Sequence, residues 1–382
     1  MEKLLKRTWA EIDLDALEYN YNNIKDFSGG REIIAIVKAD AYGHDDKSVS
    51  RKLYSLGVRR FAVSNIWEAV KLRKCGLEGE ILIFGYTGED FFEEIRQYDL
   101  TQTVGSTEYA KQLSGYAVSN DIRLPVHIKV NTGMNRVGID TEEELDEILS
   151  LGGLDCKAAY THFSCADSLD STDGEYTAAQ QAKLLKIAKD KGLMLHSQNS
   201  AGIAYHGDFA ADAARAGIVL YGLSPNYPLE VPFKLKNVMT LKSVVQQIKK
   251  IPAGTYISYG RTFCSDREMT VAVVPIGYAD GYFRDFSSKG QMLINGSLCP
   301  VLGRVCMDQT VVDVTDTDVK TGDEVTVYGG GCKEVGTDYN AALIGTIGYE
   351  LTCAVSCRVP RVIIEGGKPV DVVRYGDMEL KP

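Results

Sequence analysis

The chain has 382 residues, 45% of them hydrophobic and 25% charged, with 10 prolines beside 37 glycines. That composition excludes the fibrous, collagen-like and disordered classes. Its 42 Lys and Arg against 52 Asp and Glu leave a net charge of −10, and a field of that sign repels nucleic-acid phosphates and anionic lipid.

At Met1–Leu17 charges fall where an export signal needs an apolar run, and no stretch approaches 18 consecutive apolar residues. A soluble, unexported protein without a membrane span is expected. Eight short β-branched runs then alternate with amphipathic segments: Ile33–Val37, Phe61–Val63, Ile81–Phe84, Thr101–Val104, Val126–Val130, Ala158–Thr161, Met194–His196 and Gly217–Tyr221. Helical spacing marks Asp45–Leu56, Trp67–Cys75, Thr107–Val118, Thr141–Leu149 and Thr172–Lys191 between them. Eight alternations predict an α/β fold of the (β/α)8 TIM-type barrel class, with its active site at the C-terminal ends of the strands; an open doubly wound sheet would also alternate.

Beyond Pro228 the rhythm turns to strands, at Val238–Ile251, Met269–Gly277, Gln291–Asn295, Val301–Cys306, Thr310–Val314, Glu324–Tyr328 and Val359–Glu365. Turns are read at Gly254, Gly290, Asn295-Gly296, Thr321-Gly322 and Gly329–Gly331, and a helix only near Thr337–Ile344. The division is a barrel over residues 9–235 and a mostly β C-terminal domain over 236–382, with residues 1–8 free to join the latter. Nine cysteines, odd in number and without a C-x-x-C pair, fit free thiols in a reducing cytoplasm. His162-x-x-Cys165 and Cys353-x3-Cys357 lack further clustered ligands, so no metal is expected.

Lys38 closes the first apolar run. A lysine is costly to bury, and at the mouth of a barrel an amine of depressed pKa is what an imine with an aldehyde requires. An isolated lysine there is more often a surface residue past a strand end. The surrounding Val37–His44 resembles the cofactor-lysine signature of bacterial alanine racemases, pyridoxal-phosphate enzymes built from a barrel and a C-terminal β domain. Eight further segments are similar to motifs of that family in family order: Ala10–Leu17, Asn131–Gly138, Thr161–Phe163, Asn199–Ala201, Arg215–Ile218, Ser258–Gly260, Gly277–Gly281 and Gly303–Gln309.

The resemblance implies a role for each matching residue. Lys38 forms the imine with pyridoxal 5'-phosphate and serves as base on the D-alanine face. Tyr259, from the partner subunit of a homodimer, is the base on the L face. Free tyrosine titrates near about 10 and needs neighbouring positive charge to act near neutrality. Arg215 faces the ring nitrogen, and because it does not give up its proton it leaves that nitrogen unprotonated. His162 bridges Tyr259 and Arg215. Tyr42, Asn199, Ser200, Gly217, Ile218 and Tyr349 belong to the cofactor site, with the phosphate on the loops after the last barrel strands. Arg136 holds the ring oxygen and approaches the substrate carboxylate, steadied by a carbamate on Lys129. Cys306 and Met307 of the partner subunit line the substrate side, while Tyr278 and Tyr349 narrow the entrance to favour a methyl side chain. The implied activity is interconversion of L- and D-alanine for peptidoglycan; a serine or broad-specificity amino-acid racemase is the alternative, since pockets discriminate one hydroxyl or methylene weakly. Two departures touch the cofactor site: Asp45-Asp46 stand where the family commonly has glycine after the histidine, and Asn131 replaces an aspartate.

Overall fold

The computed structural model describes residues 7–374. In chain order it begins β1 (Thr8–Asp13), α1 (Leu14–Phe27), β2 (Glu32–Ile36), α2 (Lys38–Gly43), α3 (Asp46–Ser55), β3 (Arg60–Val63), α4 (Ile66–Lys74), β4 (Glu80–Ile83), α5 (Phe92–Gln97), β5 (Thr101–Val104) and α6 (Thr107–Ser119). There follow β6 (Leu124–Lys129), α7 (Glu142–Ser150), β7 (Leu154–Tyr160), α8 (Ser171–Ala188), β8 (Met194–His196), α9 (Ser200–Tyr205) and β9 (Ala213–Ala216). Strands β2 to β9 are parallel neighbours, and β9 pairs back onto β2 with Glu32 opposite Ala213 and Ala35 opposite Ala216, closing the eight-stranded barrel. Its strands are apolar on both faces because helices cover them outside and side-chain layers fill them inside; Ile34, Phe61, Ala62, Ile81 and Ile128 are buried.

Capping residues start the helices where the sequence supplies them. Asp13, Asn65 and Ser106 each accept a backbone N–H in the first turn of α1, α4 and α6, and Thr141 and Glu144 form a reciprocal capping box at α7.

The C-terminal part contains β10 (Met239–Val244), β11 (Gln247–Ile251), β12 (Tyr256–Ile257), β13 (Phe263–Cys264), β14 (Met269–Val274), β15 (Gln291–Ile294), β16 (Ser297–Pro300), β17 (Thr310–Asp313), β18 (Glu324–Tyr328), α10 (Thr337–Leu343), α11 (Gly348–Cys353), β19 (Arg361–Glu365) and β20 (Lys368–Val373). A seven-stranded sheet runs β16-β15-β18-β10-β1-β19-β20, beside a three-stranded sheet β11-β14-β17 and the hairpin β12-β13. The start of the chain therefore sits inside this sheet, β1 antiparallel to β10 and parallel to β19. Of the N-terminal residues left free to join it, 1–6 lie outside the described residues.

Four expectations change. The eighth barrel strand is Ala213–Ala216, not Gly217–Tyr221, and Ile218–Tyr221 forms a 3-10 turn. Arg215 thus lies within that strand rather than before it. Val301–Cys306 is irregular apart from a single bridge at Val301, and Val238–Ile251 is split into two strands of different sheets. A second helix, α11, joins the one expected near Thr337.

Candidate active site

Lys38 opens α2, two residues beyond the end of β2. The turn that follows is unusual: Ala39, Asp40, Ala41 and Tyr42 have φ of 53, 54, 53 and 55°. Left-handed backbone costs an L-residue on the order of 1–2 kcal/mol, so surrounding groups must hold the turn. The Glu68 carboxylate accepts from the amides of Ala39 and Ser64, both at 2.7 Å. His44 Nδ1 donates to the carbonyls of Ala41 and Tyr42 at 3.0 and 2.9 Å. Arg361, fully buried, donates from Nε to the Gly43 carbonyl at 2.9 Å. The clamp presents Lys38 to a cavity of about 560 Å³ at the C-terminal end of the barrel. Burial lowers the pKa of its amine, Arg136 and Arg215 lower it further, and Glu68 and Cys353 oppose them.

Arg215 reaches the same cavity from β9. Its Nη1 donates to His196 Nδ1 at 3.0 Å and to the His196 carbonyl at 2.7 Å, and Nη2 donates to the carbonyls of Thr161 and Ser197 at 2.7 and 3.0 Å. His162 Nδ1 lies 3.3 Å from Nη2. Among the described residues Nε–H is the donor of this fork left without a partner. Burial lowers the guanidinium's pKa to about 10, which keeps it charged at neutrality. His162 is held neutral: burial first, then Arg215, Lys129, Arg136 and Lys38, push its pKa well below the ordinary value. Lys129 is buried with Nζ 4.9 Å from the Tyr160 ring centre, and burial followed by Arg215 and Arg136 lowers its amine strongly.

At the cavity's other wall Tyr42, Asn199, Ser200, Gly217, Ile218 and Tyr349 come together. The Gly217 amide donates to Ser200 Oγ at 3.0 Å, and a Cβ on Gly217 would stand 2.9 Å from Tyr42 Oη and 3.4 Å from Ser200 Oγ. The missing side chain leaves a cradle of hydroxyls and backbone amide, suited to phosphate oxygens. Two guanidinium groups, Arg136 and Arg215, and two lysine amines of lowered pKa, Lys38 and Lys129, line the cavity beside one carboxylate, Asp167. An anion is the ligand such a lining favours. An amine of lowered pKa, a donor-only guanidinium with a spare N–H and a phosphate cradle are the three attachments pyridoxal phosphate needs, so the residues present fit that group.

Neither departure near the cofactor wall turns charge toward it. Asp45 caps α3 by accepting from the Ser48 amide at 2.9 Å, and Asp46 pairs with Lys71 Nζ at 2.8 Å; neither lines the cavity. Asn131 donates from Nδ2 to Asp140 at 2.9 Å and accepts from the Gly133 and Asn135 amides. An aspartate there would face the Asp140 carboxylate.

The chain does not bring every expected residue to this cavity. Tyr259, 70% exposed, Tyr278 and Met307 stand on the C-terminal domain, away from the lining. They form a cluster of their own: the Tyr278 and Ala279 amides donate to the carbonyls of Cys306 and Met307 at 3.1 and 3.0 Å, and Ser258 Oγ lies 3.4 Å from Cys306 Sγ. Sequence reasoning missed Tyr160, His196, Glu68 and Cys353. Tyr160 stacks on His196, with ring centres 4.6 Å apart at 8°. No local pattern marks Tyr160, His196 or Glu68, which the closing of the barrel brings in, while Cys353 comes from α11 of the C-terminal part.

Comparison with known proteins agrees with this layout. Residues 12–225 match the family model for the alanine racemase N-terminal domain, and residues 238–363 match that for its C-terminal domain. Alanine racemase 1 of Clostridium acetobutylicum is 42% identical over 98% of this chain and 100% of its own. The alanine racemase of Clostridium novyi is 40% identical, with the same coverage. The solved alanine racemase of Clostridium difficile superposes with a TM-score of 0.90 at 36% identity, covering 98% of this chain and all of that one. The Bacillus anthracis alanine racemase with bound L-Ala-P gives 0.90 at 33% identity, covering 98% and 99%.

Proposed function

Because the chain belongs to the alanine racemase family, we propose that it interconverts L- and D-alanine with pyridoxal 5'-phosphate held on Lys38, the α-proton moving between Lys38 on one face and Tyr259 of the partner subunit on the other. The observation that carries this reading is the convergence of Lys38, Arg215 and the Gly217 cradle on one cavity. Pyridoxal phosphate, when bound, draws electrons from the substrate's α-carbon and so makes its proton exchangeable.

The chain's own groups do the rest. Lowered toward neutrality by burial, the Lys38 amine is able to take a proton and return it. Arg215 would hold the cofactor's ring nitrogen from Nε–H and, as a group that only donates, would supply it no proton. Arg136 offers a fork to the substrate carboxylate. Tyr42, Ser200, Gly217, Ile218 and Tyr349 hold the phosphate, with Asn199 capping α9 beside them. Burial lowers the Lys129 amine strongly, in the direction that favours reaction with carbon dioxide, which supports a carbamate there to steady Arg136. Tyr349 narrows the pocket to a methyl group. An exposed Tyr259, clustered with Tyr278, Cys306 and Met307 outside its own cavity, is what a site shared across a homodimer needs. No helix among the described residues is long and apolar enough to cross a membrane; we place the activity in the cytoplasm, supplying D-alanine to the cell wall.

Purified protein incubated with L-alanine and pyridoxal phosphate is expected to accumulate D-alanine to a racemic mixture, followed by chiral chromatography; no D-alanine defeats the reading. L-serine in parallel separates the broader-specificity alternative. Tyr259→Phe is expected to slow deuterium exchange from L-alanine by about 10²-fold or more while cofactor affinity stays within twofold, and wild-type exchange in that variant removes Tyr259 from the mechanism.

A further inference from the structure

Behind Arg215 a file of buried polar groups runs down through the barrel to its opposite end. Arg215 Nη1 is 3.0 Å from His196 Nδ1, His196 Nε2 is 3.1 Å from His127 Nδ1, and His127 Nε2 is 3.0 Å from Glu80 Oε1. Both imidazoles are completely buried, whereas the Glu80 side chain is one-fifth exposed. Glu80 opens β4, so it stands at the foot of the barrel, where it lines a second cavity with Arg73, Pro125 and Lys157.

Donor and acceptor chemistry allows one arrangement. A guanidinium only donates, so His196 Nδ1 is a bare lone pair and the ring's proton sits on Nε2. That proton points at His127 Nδ1, which must itself be bare, and the His127 proton then sits on Nε2, 3.0 Å from the Glu80 carboxylate at ion-pair distance but off the line of a hydrogen bond. A second proton on either ring would set N–H against N–H beside a buried cation. The charges around the file agree: burial, then Arg215, hold the His196 pKa well below its ordinary value, and Lys129 and Arg60 add positive charge near it. At Glu80 burial raises the carboxyl's pKa, but His127 and Arg60, whose Nε is 3.6 Å away, outweigh it and keep the group anionic.

We propose that Glu80 and His127 are positioning residues for Arg215, the carboxylate at the foot of the barrel polarising two neutral Nε2–H imidazoles so that His196 Nδ1 grips the guanidinium and fixes the direction of its Nε–H. The inference rests on the reading of Arg215 as partner of the cofactor's ring nitrogen, and it adds the two residues that aim it. A polarised chain of this kind strengthens its terminal acceptor beyond what a lone imidazole offers.

The test uses the purified holoenzyme with ¹⁵N-histidine, its five histidines assigned by single replacement. His127 and His196 are each expected to show one bare Nδ1 and one protonated Nε2 between pH 6 and 8. Glu80→Gln keeps an acceptor oxygen and removes the charge. It is expected to shift the His196 Nδ1 resonance and lower kcat about threefold, less than the roughly tenfold of a group in direct contact with a site residue, because two imidazoles stand between Glu80 and Arg215. KM for L-alanine and the melting temperature are expected to hold, which a purely structural role for Glu80 would not give. A proton on His196 Nδ1 in the wild type overturns the proposal, and so does a Glu80→Gln variant with unchanged His196 resonances or unchanged kcat. Failure of the Arg215 reading looks different: Arg215→Gln would then racemise alanine at the wild-type rate while the tautomers stayed as assigned.

Discussion

At Gly217 the absence of a side chain is the functional feature. Its φ of −111° and ψ of −108° lie outside the regions open to L-residues, and a Cβ there would also fall 2.9 Å from Tyr42 Oη. Gly217→Val is therefore expected to raise the dissociation constant for pyridoxal phosphate at least about tenfold, by straining the turn and filling the cradle together. Fluorescence titration of apoprotein measures it, and the melting temperature of the apo form is expected to fall with the strain at this position. Unaltered affinity would move the phosphate elsewhere. Of the residues around this cradle, those in named motifs were legible: Lys38, Arg136, His162, Ser200 and Arg215 all line the cavity. His196 and Tyr160 were not, because each is a single polar or aromatic residue on a strand, and its partners are supplied by strands far away in sequence.

Among the elements, α2 carries the most conformational strain. Four left-handed residues lead to Gly43 at φ +82°, where a Cβ would meet the Thr352 carbonyl of α11 at 2.2 Å. Gly43→Ala is expected to destabilise the protein by about 2 kcal/mol or more and to release Lys38 from its clamp. Chemical denaturation reads the first effect and covalent retention of pyridoxal phosphate after borohydride reduction the second; a variant unchanged in both would show that the turn relaxes freely. The eighth barrel strand shows why element boundaries were harder to read than element order. Ile218–Tyr221 has the β-branched and aromatic character of a strand, yet it packs as a turn over α1, where Asn20 Nδ2 donates to the Leu220 carbonyl at 3.0 Å and Tyr221 Oη to the Ile36 carbonyl at 2.8 Å. The strand itself, Ala-Ala-Arg-Ala, has small side chains that propensity scores poorly but that fit a barrel interior holding a guanidinium. α11 escaped notice because its single turn-and-a-half, Gly348–Cys353, is too short to show a helical period.

Across the whole molecule the two parts are joined at the lysine turn, since Arg361 at the start of β19 holds the Gly43 carbonyl and β1 runs through the C-terminal sheet. His44 lies at that junction, against Tyr221 with ring centres 4.6 Å apart. Burial lowers its pKa from 6.5 to about 4 against two opposing backbone hydrogen bonds. His162 and His196 are lowered well below 6.5 as well, by burial and then by Arg215. An unfolded chain takes up protons at these three sites as pH falls through 6.5, while the folded chain does not, so the stability they carry is complete above pH 6.5 and declines in acid. Asp46 and Asp338 work the other way: burial raises both to about 6, the fold binds their protons first, and stability returns through them below that pH. Three groups against two leave a net loss that steepens as pH falls to about 6 and continues at nearly that slope toward pH 5. From pH 7 to pH 5 the unfolding free energy is expected to fall by on the order of 3 kcal/mol. Urea denaturation of the apoprotein at the two values measures this, and equal or greater stability at pH 5 would mean that at least two of the buried histidines are protonated in the fold.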